Sequence, residues 1–221
     1  MSAEEHSTEG SETAAPESPA PDLGSRRLLE SLALLAITIP LGLWQPAFWL
    51  LVPFAVIYGT RRSFDEYGVR WSPGGVLFNL VTASVVLGGY AVGHYAFGRF
   101  VQGRPFHPAL PPAFLWLVYH QVIDVALPEE FFFRAYLQTN LNFAWGRPFR
   151  LLGAEWGWSL PVSALVFALC HLFYGDLSQL KVVFFGLFAG WLRERTGSIA
   201  APVLYHAAGN ILLYSMIASF S

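Results

Sequence analysis

The sequence predicts an all-α, polytopic transmembrane helical bundle of about seven helices (range six to eight), preceded by a disordered N-terminal tail. Three observations carry this. Only 28 of 221 residues are Asp, Glu, Lys or Arg, and eight of those lie in the first 27, which leaves about one charge in ten over residues 28–221; a soluble domain carries roughly one in four. Hydrophobic residues make up 54% of the chain and aromatics 16%, too little polar surface to cover a water-soluble domain. No charged residue occurs in 31–60, 71–98, 105–123, 156–175 or 196–221, and several of these runs reach the ~20 residues that span a bilayer. Their apolarity is continuous rather than alternating, which favours helices over barrel strands. A soluble enzyme is excluded on these grounds. The net charge of −2 and the single cysteine argue against a nucleic-acid binder and a disulfide scaffold.

Residues 1–25 hold six acids, three prolines, no base and no aromatic, and are expected to be a disordered acidic tail. They lack the basic start and apolar middle of a signal peptide. Residues 26–221 form the expected transmembrane domain. The first two segments, 27–44 and 46–60, are read as a helical hairpin because Trp44-Gln45-Pro46 has turn chemistry. The third is 76–98. The fourth, 112–140, is too long for one straight span, and Pro128 is expected to kink it because proline lacks the N–H of the helix ladder. Segments 158–174, 179–193 and 199–219 complete the bundle. With the N-terminus cytoplasmic, nine arginines (26, 27, 61, 62, 70, 147, 150, 193 and 195) fall inside, and only Arg99 and Arg104 fall outside. That bias requires the hairpin and largely disappears if 31–60 is one helix. Twelve arginines against one lysine, with abundant Ala, Gly and Pro, read as a GC-rich bacterial source. The expected location is the cell (inner) membrane, multi-pass.

Polar residues inside apolar spans mark function by default. The first cluster is LPEEFFFRAYLQ, where Glu130 and Arg134 share a helix face at i, i+4 and form an ion pair. Glu129 is rotated about 100° from Glu130 and is free to point elsewhere. An apolar setting tunes a carboxylate for proton transfer near neutral pH. The second cluster places Phe167 and His171 on one face, and the third does the same for His206 and Asn210. Taken singly, the last two read equally as interhelical hydrogen-bonding glue. Together, a free Glu, two His and an Asn on three helices form a set for hydrolysis by activated water. Glu129, Glu130 and Arg134 are expected to be the charges that bear a burial cost. His120 and Asp124 are read as a structural pair, and Cys170 as a buried inert thiol. There is no His-Glu-x-x-His, Gly-x-Ser-x-Gly or Walker signature.

In these motifs the sequence resembles the CPBP family of CAAX proteases and bacteriocin-processing enzymes, also called type II CAAX prenyl endopeptidases and Abi proteins. The family pattern stands here as Glu129-Glu130-x-x-x-Arg134, then Phe167-x-x-x-His171, then His206-x-x-x-Asn210. The motif-bearing core covers about 112–215. The resemblance implies a glutamic-type intramembrane protease. Glu129 would activate the attacking water, His171 would help to position it, Glu130 and Arg134 would support the site, and His206 and Asn210 would stabilise the oxyanion. No cofactor is expected. A divalent metal such as zinc stays open, with Glu129, His171 and His206 as its ligands. The implied partners are a membrane-associated protein or peptide substrate and the lipid bilayer, with no nucleic acid. Members act on prenylated proteins, in bacteriocin processing or self-immunity, or as myxosortases that remove C-terminal anchors. The small size, acidic tail and GC-rich signature fit a myxosortase-like member. A proton-coupled transporter and a non-catalytic immunity scaffold are the rival classes. Transporters also bury Glu and His, but the chain has no inverted repeat.

Overall fold

The computed structural model describes residues 22–220, and the acidic tail lies outside them up to residue 21. Asp22 caps the first helix by accepting the Ser25 N–H at 2.7 Å. Helix α1 (Leu23–Trp44) therefore takes in the last three residues expected to belong to the tail. The turn at Gln45–Ala47 leads into α2 (Phe48–Gly59), so the 31–60 run is a hairpin as expected. The two helices cross closely at Gly42, where a Cβ would stand 2.2 Å from the Trp49 ring. Helix α3 (Val76–Val101) ends in a π-helical turn at Phe97–Val101, and no residue of its α-helical part is buried.

Helix α4 (residues 114–145) is the central element. Pro128 does not break it; instead π-helical stretches at His120–Ala126 and Phe131–Gln138 flank a short α-helical piece at Leu127–Glu130. All eight residues of Phe131–Gln138 are buried, as expected for a helix surrounded by others. Phe132 and Phe133 pack at a tilt against Trp49, 5.0 and 5.2 Å between ring centroids, which joins α4 to the helical hairpin. A short β-hairpin follows, β1 (Phe149–Leu151) paired antiparallel with β2 (Ala154–Trp156). The stretch lies between the expected segments 112–140 and 158–174. Its turn places Leu152 at φ +47° and Gly153 at φ +78°; the left-handed conformation costs an L-residue such as leucine roughly 1–2 kcal/mol.

Helix α5 (Ser159–His171), two 3₁₀ turns (Leu172–Tyr174 and Leu177–Lys181), α6 (Val182–Thr196) and α7 (Ala200–Ser219) complete the chain. Small residues let α5 and α6 approach: a Cβ on Gly186 would lie 3.0 Å from that of Ala164. The seven predicted segments are thus seven helices among the described residues, displaced at their ends by a few positions. Three of them (α1, α3 and α7) are long and apolar enough to cross a membrane.

The basic residues assigned to one side gather at one end of the bundle. Arg27 pairs with Glu66 at 2.8 Å, Arg62 with Glu30 at 2.5 Å and Arg147 with Glu194 at 2.8 Å, and Arg70 donates to the Gly197 carbonyl. This end also holds a buried polar layer that the sequence reading missed. Tyr67 hydrogen-bonds Arg27 and Asn140, and Tyr136 donates to Glu30. Arg27 and Arg193 are 6% and 5% exposed, so the burial cost is not confined to Glu129, Glu130 and Arg134.

Candidate active site

The two glutamates sit at mid-length on α4, where the switch between α- and π-helical geometry sets their directions. Glu130 and Arg134 share a face and pair at 3.0 Å (Oε2 to Nε), with both side chains fully buried. The Arg134 guanidinium also donates to Ser163 Oγ on α5 at 3.1 Å, and that hydroxyl donates to the Phe133 carbonyl at 2.7 Å. Phe167 covers the guanidinium, 5.0 Å from its ring centre. The arginine is therefore fixed on three sides: a carboxylate, a hydroxyl and an aromatic face.

His206 of α7 is the residue that joins the two carboxylates. Its Nδ1 donates to Glu130 Oε1 at 2.9 Å, and its Nε2 faces Glu129 Oε2 at 3.8 Å. Its ring packs against Phe185, 4.9 Å between centroids, and meets the Phe167 ring edge-on at 6.0 Å. Glu130 is thus held by two partners from two helices, rather than by Arg134 alone. Glu129 Oε2 is buried and has no hydrogen-bond partner among the described residues. Buried carboxylate oxygens are normally satisfied, and exceptions concentrate at reactive sites.

His171 lies beside this cluster, with its ring 4.5 Å from that of Phe167 and within electrostatic range of Glu129. Its Nδ1 bonds the Phe167 carbonyl at 2.9 Å. A carbonyl only accepts, so Nδ1 carries the proton, and in the neutral ring Nε2 carries the lone pair. Asn210 is one turn beyond His206 and donates to Gln121 Oε1 of α4 at 2.8 Å. Gln121 is 4% exposed and was not singled out in the sequence; its signal was a lone amide inside an uncharged run. The neighbouring His120–Asp124 pair, 3.0 Å apart, is instead on the exposed side. Cys170 is buried.

The π-helical stretch accounts for the match between α4 and α7. Gln121 and Glu130 are nine residues apart, about two and a half turns of an ideal α-helix, and so would face opposite ways. Their partners Asn210 and His206 share one face of α7 at i, i+4. The wider turn at His120–Ala126 supplies rotation that brings both acceptors onto α7. Among the described residues, no group of three His, Cys, Asp or Glu side chains is arranged to hold a metal ion. Glu129, His171 and His206, the alternative set, do not form such a group in this arrangement.

Fold and cluster together define a helical membrane protein with a buried acid–base centre where α4, α5 and α7 meet. Residues 111–212 match the family model described as type II CAAX prenyl endopeptidase Rce1-like. Over that span the chain carries an Rce1-like domain, in agreement with the family that the three motifs resemble, and this supports a CAAX-type intramembrane endopeptidase at family level. No curated protein and no solved structure matches the chain.

Proposed function

We propose that the protein is a multi-pass intramembrane endopeptidase, N-terminus cytoplasmic, that hydrolyses a peptide bond in or beside the bilayer through water activated by Glu129. The observation that carries this reading is the unsatisfied, buried Glu129 Oε2 opposite His206 Nε2. Glu129 takes a proton from water as the hydroxide adds to the scissile carbonyl carbon. His171, beside the cluster, helps to position the same water. With His206 as imidazolium, two carboxylates face two cations, and the imidazolium Nε2–H can donate to the oxyanion. The second N–H of Asn210 is a further donor, its first being held by Gln121. Collapse of the tetrahedral intermediate breaks the C–N bond, and Glu129 returns its proton to the leaving amine. Glu130 and Arg134 fix His206 and Glu129 in place. The substrate is a membrane-associated protein or peptide whose C-terminal segment is removed.

The test is complementation in a strain lacking the protein, with membrane-protein C-termini compared by quantitative proteomics. Wild type restores the missing cleavages. Glu129→Gln, present at normal level in the membrane, is expected to reduce them by at least the ~10²–10⁴-fold that a positioned general base supplies. Restored cleavage by Glu129→Gln would sink the glutamic mechanism.

A further inference from the structure

A second site lies outside the catalytic cluster, on the flank formed by α3, α6 and the β-hairpin. Val81, Val85 and Val86 of α3, Leu151 and Leu152 of the hairpin, and Phe188 and Trp191 of α6 line a groove of about 330 Å³. That is the size of a small ligand pocket, roughly 300–1,000 Å³. The hairpin is tied to α6 by the Trp191 Nε1–H, which donates to the Leu151 carbonyl at 3.1 Å.

Two features separate this groove from ordinary lipid-facing surface. The first is its turn. A two-residue hairpin turn with φ positive at both centres favours Asn, Asp or Gly at the first of them. Here that place is Leu152, 77% exposed, and its side chain forms groove wall. The second is the end of the groove. All three elements lead to Arg195: it is one turn beyond Trp191, its guanidinium lies 5.5 Å over the ring of Phe78, one turn before Val81, and its Nε packs against Gly153, next to Leu152. Among the described residues no carboxylate lies within ion-pair distance of Arg195. This end coincides with the start of α3 and the end of α6.

We infer that the groove holds one acyl chain of an anionic phospholipid from the surrounding bilayer, with the headgroup phosphate on the Arg195 guanidinium. An apolar channel that opens lengthwise to lipid and ends at an unpaired cation at the boundary matches a chain attached to an anion. This is independent of the proteolytic reading, because no groove residue belongs to the catalytic cluster.

The experiment is native mass spectrometry of the full chain in detergent. The protein is titrated with an equimolar mixture of phosphatidylglycerol and phosphatidylcholine of identical acyl chains. Wild type is expected to retain one phosphatidylglycerol in preference. Arg195→Gln should reduce that preference about fivefold, the worth of one basic side chain at an anionic surface. Arg99→Gln, at the opposite end of α3, should leave it unchanged. Leu152→Asn suits the turn better, so it should lower lipid retention while thermal stability holds or rises. Equal retention of the two lipids, an equal effect of Arg99→Gln, or undiminished retention by Leu152→Asn would each overturn the assignment.

Discussion

Replacing Glu130 by Gln keeps the side chain's shape and removes its charge. Arg134 then remains fully buried with its one ion-pair partner, 3.0 Å away, neutralised. Solvent offers no screening at a side chain with no exposed surface. Removing one member of such a pair costs about 3–5 kcal/mol, because the remaining charge is uncompensated. For a chain of this length about 1 kcal/mol corresponds to ~2–4 °C in Tm, so Glu130→Gln should lower Tm by about 6–20 °C. Arg134→Met, which leaves Glu130 with His206 alone, should fall in the same range. The double variant removes both charges and should be no worse than either single, a coupling of about 3 kcal/mol or more. The assay is thermal unfolding of all four proteins in one detergent at one pH. Single variants within ~2 °C of wild type, or a double variant whose loss is the sum of the two, would refute the claim that this pair is dry and mutually compensating.

The remaining predictions address packing and chemistry. Gly42→Ala should destabilise by about 1–3 kcal/mol through overpacking, since its Cβ would meet the Trp49 ring at 2.2 Å; an unchanged Tm would show that α1 and α2 do not cross there. Gln121→Leu leaves the Asn210 amide unpaired and should raise the activation barrier by about 1–3 kcal/mol, read as a fall in kcat with little change in KM, whereas Gln121→Glu keeps the acceptor and should retain most activity. Cleavage should survive exhaustive chelation, since the described residues assemble no three-ligand set. Activity lost on chelation and restored by zinc alone would contradict that expectation.

The helices were legible because an uncharged run of sufficient length is a local property of the chain. The Trp44-Gln45-Pro46 turn was local too, and so was the Glu130–Arg134 pair, which one helix brings together by itself. What could not be read was pairing between distant residues. The His206 bond to Glu130 joins positions 76 apart in sequence, and the Asn210 bond to Gln121 joins positions 89 apart. The sequence placed His206 and Asn210 together on one face, which holds, but could not say that this face turns toward α4. Arg27 stands at the edge of an apolar run, where the sequence predicts a charge on the cytoplasmic side. Its burial depends on Tyr67, Glu66 and Asn140, which reach it from a loop and from α4. The β-hairpin was missed because strands of three residues leave no periodic signal, and its turn carries a leucine where turn chemistry favours Asn or Gly.

The π-helical turns of α4 mean that residue count, as well as hydrophobicity, is constrained in this helix. Removing one residue from His120–Ala126 would leave a run just as apolar and almost as long, able to insert in a bilayer. It would also let the wide turn close into ordinary α-helix, with Gln121 and Glu130 eight residues apart and about 80° around the axis, so that both could still face α7. The same deletion in an α-helical part of α4 has no wide turn to absorb it and would rotate one side by about 100° against the other, leaving a protein made, inserted and inert. In chains descended from a common ancestor, a one-residue gap should accordingly be tolerated inside this stretch and not beside it.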